Sequence, residues 1–239
     1  MRNRILRDKS IKDMIVVIDK DELIEFINKK IKDQDSKIVV VCKDEIEEFI
    51  TQKVEEPKRK IVVKDKGELK MRIAQRIKEQ GPNCDLNDID VSHITDMSYL
   101  FADSTFNGDI SQWDVSNVTN MDSMFWSSVF DGDISRWDVS NVENMRSMFW
   151  SSQFNSDISK WDVSNVKIMD CMFRRSKFNG DLSRWDVSNV VDMDCMFYDS
   201  TFCGGISEWN VSRAKNMGYM FWGSPLEGRE PEWYKTRLK

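Results

Sequence analysis

Apolar and polar positions recur along this chain in two registers, one of 23 residues near its start and one of 24 residues from Asp90 onward. In the second, DVSNVTNMDSMFWSSVFDGDISRW from Asp114 superposes without gaps on the segments that begin at Asp90, Asp138, Asp162 and Asp186, and a fading copy begins at Asn210. The apolar positions of the copy from Asp114 are Val115, Val118, Met121, Met124, Phe125, Phe130, Ile134 and Trp137. A fixed period of this length predicts a solenoid, in which each repeat is one coil stacked on the next and these residues line the interior. Ile110, Ile134, Ile158, Leu182 and Ile206 then form one interior column. The pattern predicts a short parallel strand around DISxWDV. It also predicts a helical turn around NMxxMF, where Met121, Met124 and Phe125 share one face.

The earlier register reads strand then helix three times. The β-branched runs Ile15 to Ile18, Ile38 to Val41 and Ile61 to Val63 predict buried strands. Leu23, Ile27 and Ile31 predict a helix stripe that recurs at Ile46, Ile50, Val54 and at Leu69, Ile73, Ile77. Asp65 followed by Glu68 fits a helix N-cap, and Gly81-Pro82 fits a helix end. The implied organisation is an extension over residues 1–13, three strand-helix units over 14–82 with the last capping the array, repeats over 83–223, and a closing cap over 224–239. Stacked coils need such caps, because an open end exposes apolar surface and unpaired strand edges.

With 239 residues, 40% of them apolar and 32% charged, the chain has the composition of a soluble folded protein. No apolar stretch approaches the roughly 18 residues of a membrane span, and charges interrupt the start before a signal-like core can form. The expected location is therefore cytoplasmic. Cys42, Cys84, Cys171, Cys195 and Cys203 are odd in number and irregular as a set, unlike a disulfide framework. Residues 1–82 carry 21 Lys/Arg against 17 Asp/Glu, whereas residues 83–239 carry 14 against 24. An acidic repeat region has the wrong sign for tracking phosphates, so nucleic acid is not an expected ligand and basic partners are attracted.

The pattern DVSNVTNMxxMF followed by FNGDISxWDVSNV resembles the BspA-like bacterial surface-protein repeat, also described from Mycoplasma lipoproteins, over residues 83 to about 227. The resemblance implies a leucine-rich-repeat-like α/β solenoid used in adhesion or protein binding, with no enzymatic activity tied to the repeat. It also implies a cell-surface or phage-associated setting. The expected departures from the family are the lack of a signal sequence and lipobox and the tandem 23-residue units.

Candidate chemistry is sparse. His93 is the single histidine, which leaves no partner for a His-based triad or a His-rich metal site. The columns Asp90, Asp114, Asp138, Asp162, Asp186 and Asp109, Asp133, Asp157, Asp181 suit calcium or turns, and the adjoining Ser-Asn and Gly residues favour turns. Cys171 and Cys195 fall on adjacent coils, but Ser123 and Ser147 fill the same position, which argues against a required bridge. The recurring methionines read as core.

The more telling signal is where the repeats differ. Directly after each core MF pair stand Ala102, Trp126, Trp150, Arg174, Tyr198 and Trp222. Two readings of this ladder stand equal: an exposed contact surface of residue types that carry interface energy, or a secondary packing layer. The variable column Gln112, Arg136, Lys160, Arg184 and Glu208 reads as a solvated face. The expected function is a non-catalytic protein-protein interaction module without metal or cofactor, its contacts made by Trp126, Trp150, Arg174, Tyr198 and Trp222. The alternative is an adhesin or carbohydrate binder that uses the aromatic ladder.

Overall fold

The computed structural model describes residues 16–18, 40–42 and 60–237. The chain forms two compact units, Met1–Arg59 and Lys60–Lys239. In the first, β1 (Val16–Ile18) and β2 (Val40–Cys42) pair in parallel with Val16 opposite Val40. β1 falls within the first β-branched run and β2 overlaps the second, extending one residue past it, and their register is 24 residues, one more than the repeat alignment implies. The first two expected helices and the 1–13 extension lie outside the described residues.

The second unit begins with β3 (Ile61–Val62), which pairs in parallel with β4 (Ile89–Asp90). Helix α1 (Lys66–Gln80) follows β3 as its apolar spacing implies, with Leu69 and Ile73 buried and Ile77 packed against the core. Its start is set by chemistry at both sides of the cap. The Asp65 carboxylate accepts from the Glu68 N–H at 2.8 Å, and Glu68 accepts from the Lys64 N–H at 3.1 Å. Gly81, at φ 88°, then ends the helix in a backbone conformation that a side chain would strain. Arg76 on α1 holds Asp88 at 2.8 Å, tying the helix to the first turn after it.

From Asp85 each repeat bonds to the next in register. One parallel bridge joins Asp85 to Asp109, and a second column of bridges links Asp96, Asn120, Asn144, Ile168, Asp192 and Asn216 in turn. Around Asn120 to Ser127, alternate N–H groups donate to carbonyls of the following repeat: Met121 to Asn144, Ser123 to Arg146, Phe125 to Met148 and Ser127 to Trp150, at 2.8–2.9 Å. The ladder therefore runs over NMxxMFxS, where the sequence pattern implies a helical turn. In the repeats that follow it, DISxWDV forms turns and no strand. The physical reason is the backbone. Ser123 and Ser127 stand at φ 55° and 54°, as do their equivalents in every repeat, and this left-handed conformation interrupts any helix. Met121, Met124 and Phe125 are nonetheless all fully buried.

The interior is built of like residues on like residues. Ile110, Ile134, Ile158, Leu182 and Ile206 are 0–2% exposed. Phe101, Phe125, Phe149, Phe173, Phe197 and Phe221 stack with centroids 5.5–5.9 Å apart and planes within 8°. Each buried tryptophan of the Trp113 column donates its indole N–H to a carbonyl 27 residues earlier, as Trp161 does to Ile134 at 3.1 Å. A buried indole without an acceptor would be costly, so this bond is part of why tryptophan can occupy the core. Trp233, on α2 (Glu232–Arg237), continues the column: it stacks on Trp209 at 6.3 Å and donates to Ile206 at 2.9 Å. Residues 224–237 thus keep the tryptophan of the repeat although the rest of its pattern is gone.

The aspartate columns close turns. Asp133 accepts from the Ser135 N–H at 2.9 Å, and Asp114 from the Ser116 N–H at 3.1 Å and hydroxyl at 2.6 Å, with equivalents along the array. Asn117, Asn141, Asn165 and Asn189 donate across repeats to Ser92, Ser116, Ser140 and Ser164. Polar columns therefore bind repeat to repeat on the outside as the aromatics do within.

Candidate functional site

The residues that follow each MF pair stand just beyond a buried phenylalanine, so the ladder that orders the core also fixes their spacing. Ala102, Trp150, Arg174 and Tyr198 are half-buried, while Trp126 is 38% and Trp222 56% exposed. Trp126 and Trp150 meet at 6.2 Å with planes tilted by 56°. The Arg174 guanidinium lies 5.0 Å from the Trp150 ring and 4.6 Å from that of Tyr198. Four consecutive members therefore form one continuous stack, and no ring contact joins Tyr198 to Trp222. Inside the stack the Arg174 Nε is buried without a hydrogen-bond partner, an arrangement that cation–π contact with two rings offsets. The stack tiles over itself and still leaves a partly open surface.

Two neighbouring columns complete the face; sequence reasoning met the first only as a cysteine-serine position and did not single out the second. The first is Tyr99, Ser123, Ser147, Cys171, Cys195 and Tyr219, all with left-handed φ; its end members are 49% and 65% exposed. The second is Ser98, Asp122, Arg146, Asp170, Asp194 and Gly218. The signal was there in kind: both columns vary between otherwise matching repeats, as the ladder does.

A cavity of about 250 Å³ is lined by Tyr99, Asp122, Ser123, Trp126, Arg146, Ser147 and Trp150. A larger one, about 690 Å³, is lined by Arg146, Asp170, Asp192, Asp194, Lys215 and Gly218 among others. Arg146 belongs to both and pairs with Asp170 at 2.9 Å. Burial pushes the Asp170 carboxyl up, against the pull of Arg146 and with the push of Asp192.

The thiols of this face are poor nucleophiles. Burial, and then Asp194 at 3.5 Å, push the Cys195 thiol up to about 12, and burial likewise raises Cys171. Cys84, Cys171, Cys195 and Cys203 are free. The turn aspartates go the other way: backbone N–H bonds hold Asp109, Asp133, Asp157 and Asp181 below the usual carboxylate range. Among the described residues no group of three or more His, Cys, Asp or Glu side chains could hold a metal ion, and no helix is long and apolar enough to cross a membrane. What this face offers is concavity, aromatic area and mixed charge.

A family model described as "Mycoplasma protein of unknown function, DUF285" matches residues 71–176 and again 129–229, together more than half of the chain. No curated protein and no solved structure matches it.

Proposed function

The chain belongs to DUF285, a family of Mycoplasma proteins of unknown function, and from that premise we propose that it is a non-catalytic interaction module that binds another protein through the ladder face. We take the repeats as a leucine-rich-repeat-like solenoid of the BspA type, which resembles an adhesion or binding scaffold. The observation that carries the reading is the continuous, half-open stack of Trp126, Trp150, Arg174 and Tyr198 beside two cavities that share Arg146. Tryptophan, tyrosine and arginine supply much of the energy of protein interfaces, and here packing already limits their rotamers, so less entropy is lost on binding. The carbohydrate reading ranks second, because Arg174 occupies faces of Trp150 and Tyr198 on which a sugar ring would have to stack.

The test is co-purification from source cells with the parent chain and with a Trp126→Ala, Trp150→Ala double variant. The expected result is at least a tenfold loss of partner, about 1.4 kcal/mol, with melting unchanged to within a few degrees. A partner retained in full by the double variant overturns the ladder as the contact surface, and binding of free glycans on an array in place of a protein overturns the choice of class.

A further inference from the structure

The ladder is directional, and its last rung has no following repeat: Tyr234 and Trp233 cover the Phe221 ring at 4.9 and 6.2 Å, while Tyr219 stays 65% exposed. In each inner repeat four alternate N–H groups find carbonyls in the next: Met193, Cys195, Phe197 and Asp199 donate to Asn216, Gly218, Met220 and Trp222 at 2.6–2.9 Å. The equivalent donors of the last repeat are Met217, Tyr219, Phe221 and Gly223. Of these, Gly223 is capped by the Glu227 carboxylate at 3.0 Å. The N–H groups of Met217, Tyr219 and Phe221 have no acceptor among the described residues. A row of aligned, unpaired donors at a ladder edge is a template for an added strand.

The surroundings say what kind of segment fits. A cavity of about 370 Å³ runs along the edge, lined by Gly218, Tyr219, Phe221, Trp222, Glu227, Glu230 and Tyr234. Tyr219 and Trp222 are 65% and 56% exposed and meet edge to face at 6.3 Å. Within the array, an arginine from one repeat lies against the ladder aromatics of its neighbours, as Arg174 does on Trp150 and Tyr198. No such arginine lies beyond Trp222 among the described residues, and Glu227 and Glu230, each accepting one backbone N–H, line the same cavity as Tyr219 and Trp222. The larger cavity that Gly218 also lines has mixed charge, with Asp192 and Asp194 beside Arg146 and Lys215.

We infer that the open edge Met217–Gly223 takes an extended segment of a partner protein that serves as the missing next repeat. Its carbonyls accept from Met217, Tyr219 and Phe221, and an arginine side chain stacks on Tyr219 and Trp222 between Glu227 and Glu230. The inference rests on the reading of the chain as a protein-binding module and supplies a second surface for it, distinct from the Trp126–Tyr198 stack.

The probe is a capped synthetic peptide, Thr-Val-Arg-Val-Thr-Val, labelled with fluorescein and titrated into the full chain by anisotropy. Saturable binding is expected, weakened at least about tenfold when citrulline replaces the arginine and when the protein carries Trp222→Ala or Glu230→Gln. In amide hydrogen exchange, Tyr219 and Phe221 should exchange at least about tenfold faster than Cys195 and Phe197 in the free protein, and slow when peptide is added. Equal binding of the citrulline peptide, binding unchanged in Trp222→Ala, or exchange unmoved by peptide overturns the proposal. So does self-association of the peptide-free chain in light scattering, which would give the edge to a second copy. The Trp126→Ala, Trp150→Ala variant should bind this peptide like the parent. Failure at the edge with cellular partner capture intact leaves the ladder face standing, and the reverse result leaves the edge standing.

Discussion

Two columns stand one residue apart in every repeat and behave in opposite ways. Phe125, Phe149, Phe173, Phe197 and Phe221 are the same residue in the same pose, each 0–2% exposed. Their immediate successors, Trp126, Trp150, Arg174, Tyr198 and Trp222, differ in type, tilt and exposure. The interior position meets the same neighbours above and below in each repeat, so one side chain solves the packing everywhere and any other leaves a void or a clash. The exterior position meets solvent on one side, which removes that constraint. Identity from repeat to repeat therefore marks what holds the array together, and difference marks where the surface is free to be specific.

The sharpest way to break this contrast is Phe149→Ala. Phe149 touches Phe125, Phe154, Trp161 and Phe173 with centroids at 4.3–6.4 Å, and its loss should cost about 3–5 kcal/mol in urea melts. Trp161→Phe asks a narrower question. It keeps an aromatic ring and removes the bond to the Ile134 carbonyl, for an expected cost of about 1–3 kcal/mol from an acceptor left unpaired in the core. If Trp150→Ala cost as much as Phe149→Ala, the inside and outside of the array would have been misassigned.

How much of this could be read from residues alone follows the same contrast. The interior positions were legible because burial repeats, and helix α1 because Asp65, Leu69, Ile73 and Ile77 state its cap and its face in local chemistry. The aspartate turns were legible because Asp followed by Ser two residues later is itself a turn device. The location of the ladder was not. Met121, Met124 and Phe125 sit at helical spacing, and the left-handed serines that turn this segment into a hydrogen-bonded ladder carry no sequence mark, since the same position holds Tyr99, Cys171 and Tyr219 elsewhere. Trp233 was hidden for another reason: it lies on a helix of six residues, so its neighbours do not match the repeat even though its place in the tryptophan column does. The ladder residues Trp126 to Trp222 were found by their variability, and that clue applied equally to Arg146, Asp170 and Asp194.

On the outside the expected effects shrink. Arg174→Ala removes a guanidinium held between two half-exposed rings, and its cost should be about 0.5–2 kcal/mol by thermal or urea melting. Arg136, in the solvated column, should cost under about 0.5 kcal/mol as Arg136→Ala. A large loss from Arg136→Ala would mean that the variable column is structural.

The smallest effect is also the most discriminating, because it has opposite signs at two carboxylates. Asp170 is 7% exposed, and burial raises its folded pKa above the ordinary 3.8. Ionising it in the fold therefore costs more than in the unfolded chain, so its contribution to stability falls as pH rises from the ordinary value through the raised one. Asp133 is exposed, and the Ser135 N–H holds its pKa below 3.8. Its contribution is present above the ordinary value and is lost as pH falls through the lowered one. Asparagine can keep the turn bond without the charge, as Asn210 does in accepting from Ser212 at 3.1 Å, and at Asp170 it has the same shape and can still accept from Arg146. Between about pH 3 and about pH 6, the melting temperature of Asp170→Asn relative to the parent should rise with pH, and that of Asp133→Asn relative to the parent should fall. Two curves of the same sign would show that burial does not separate these carboxylates, and the contrast between buried and exposed positions of the array would then rest on packing alone.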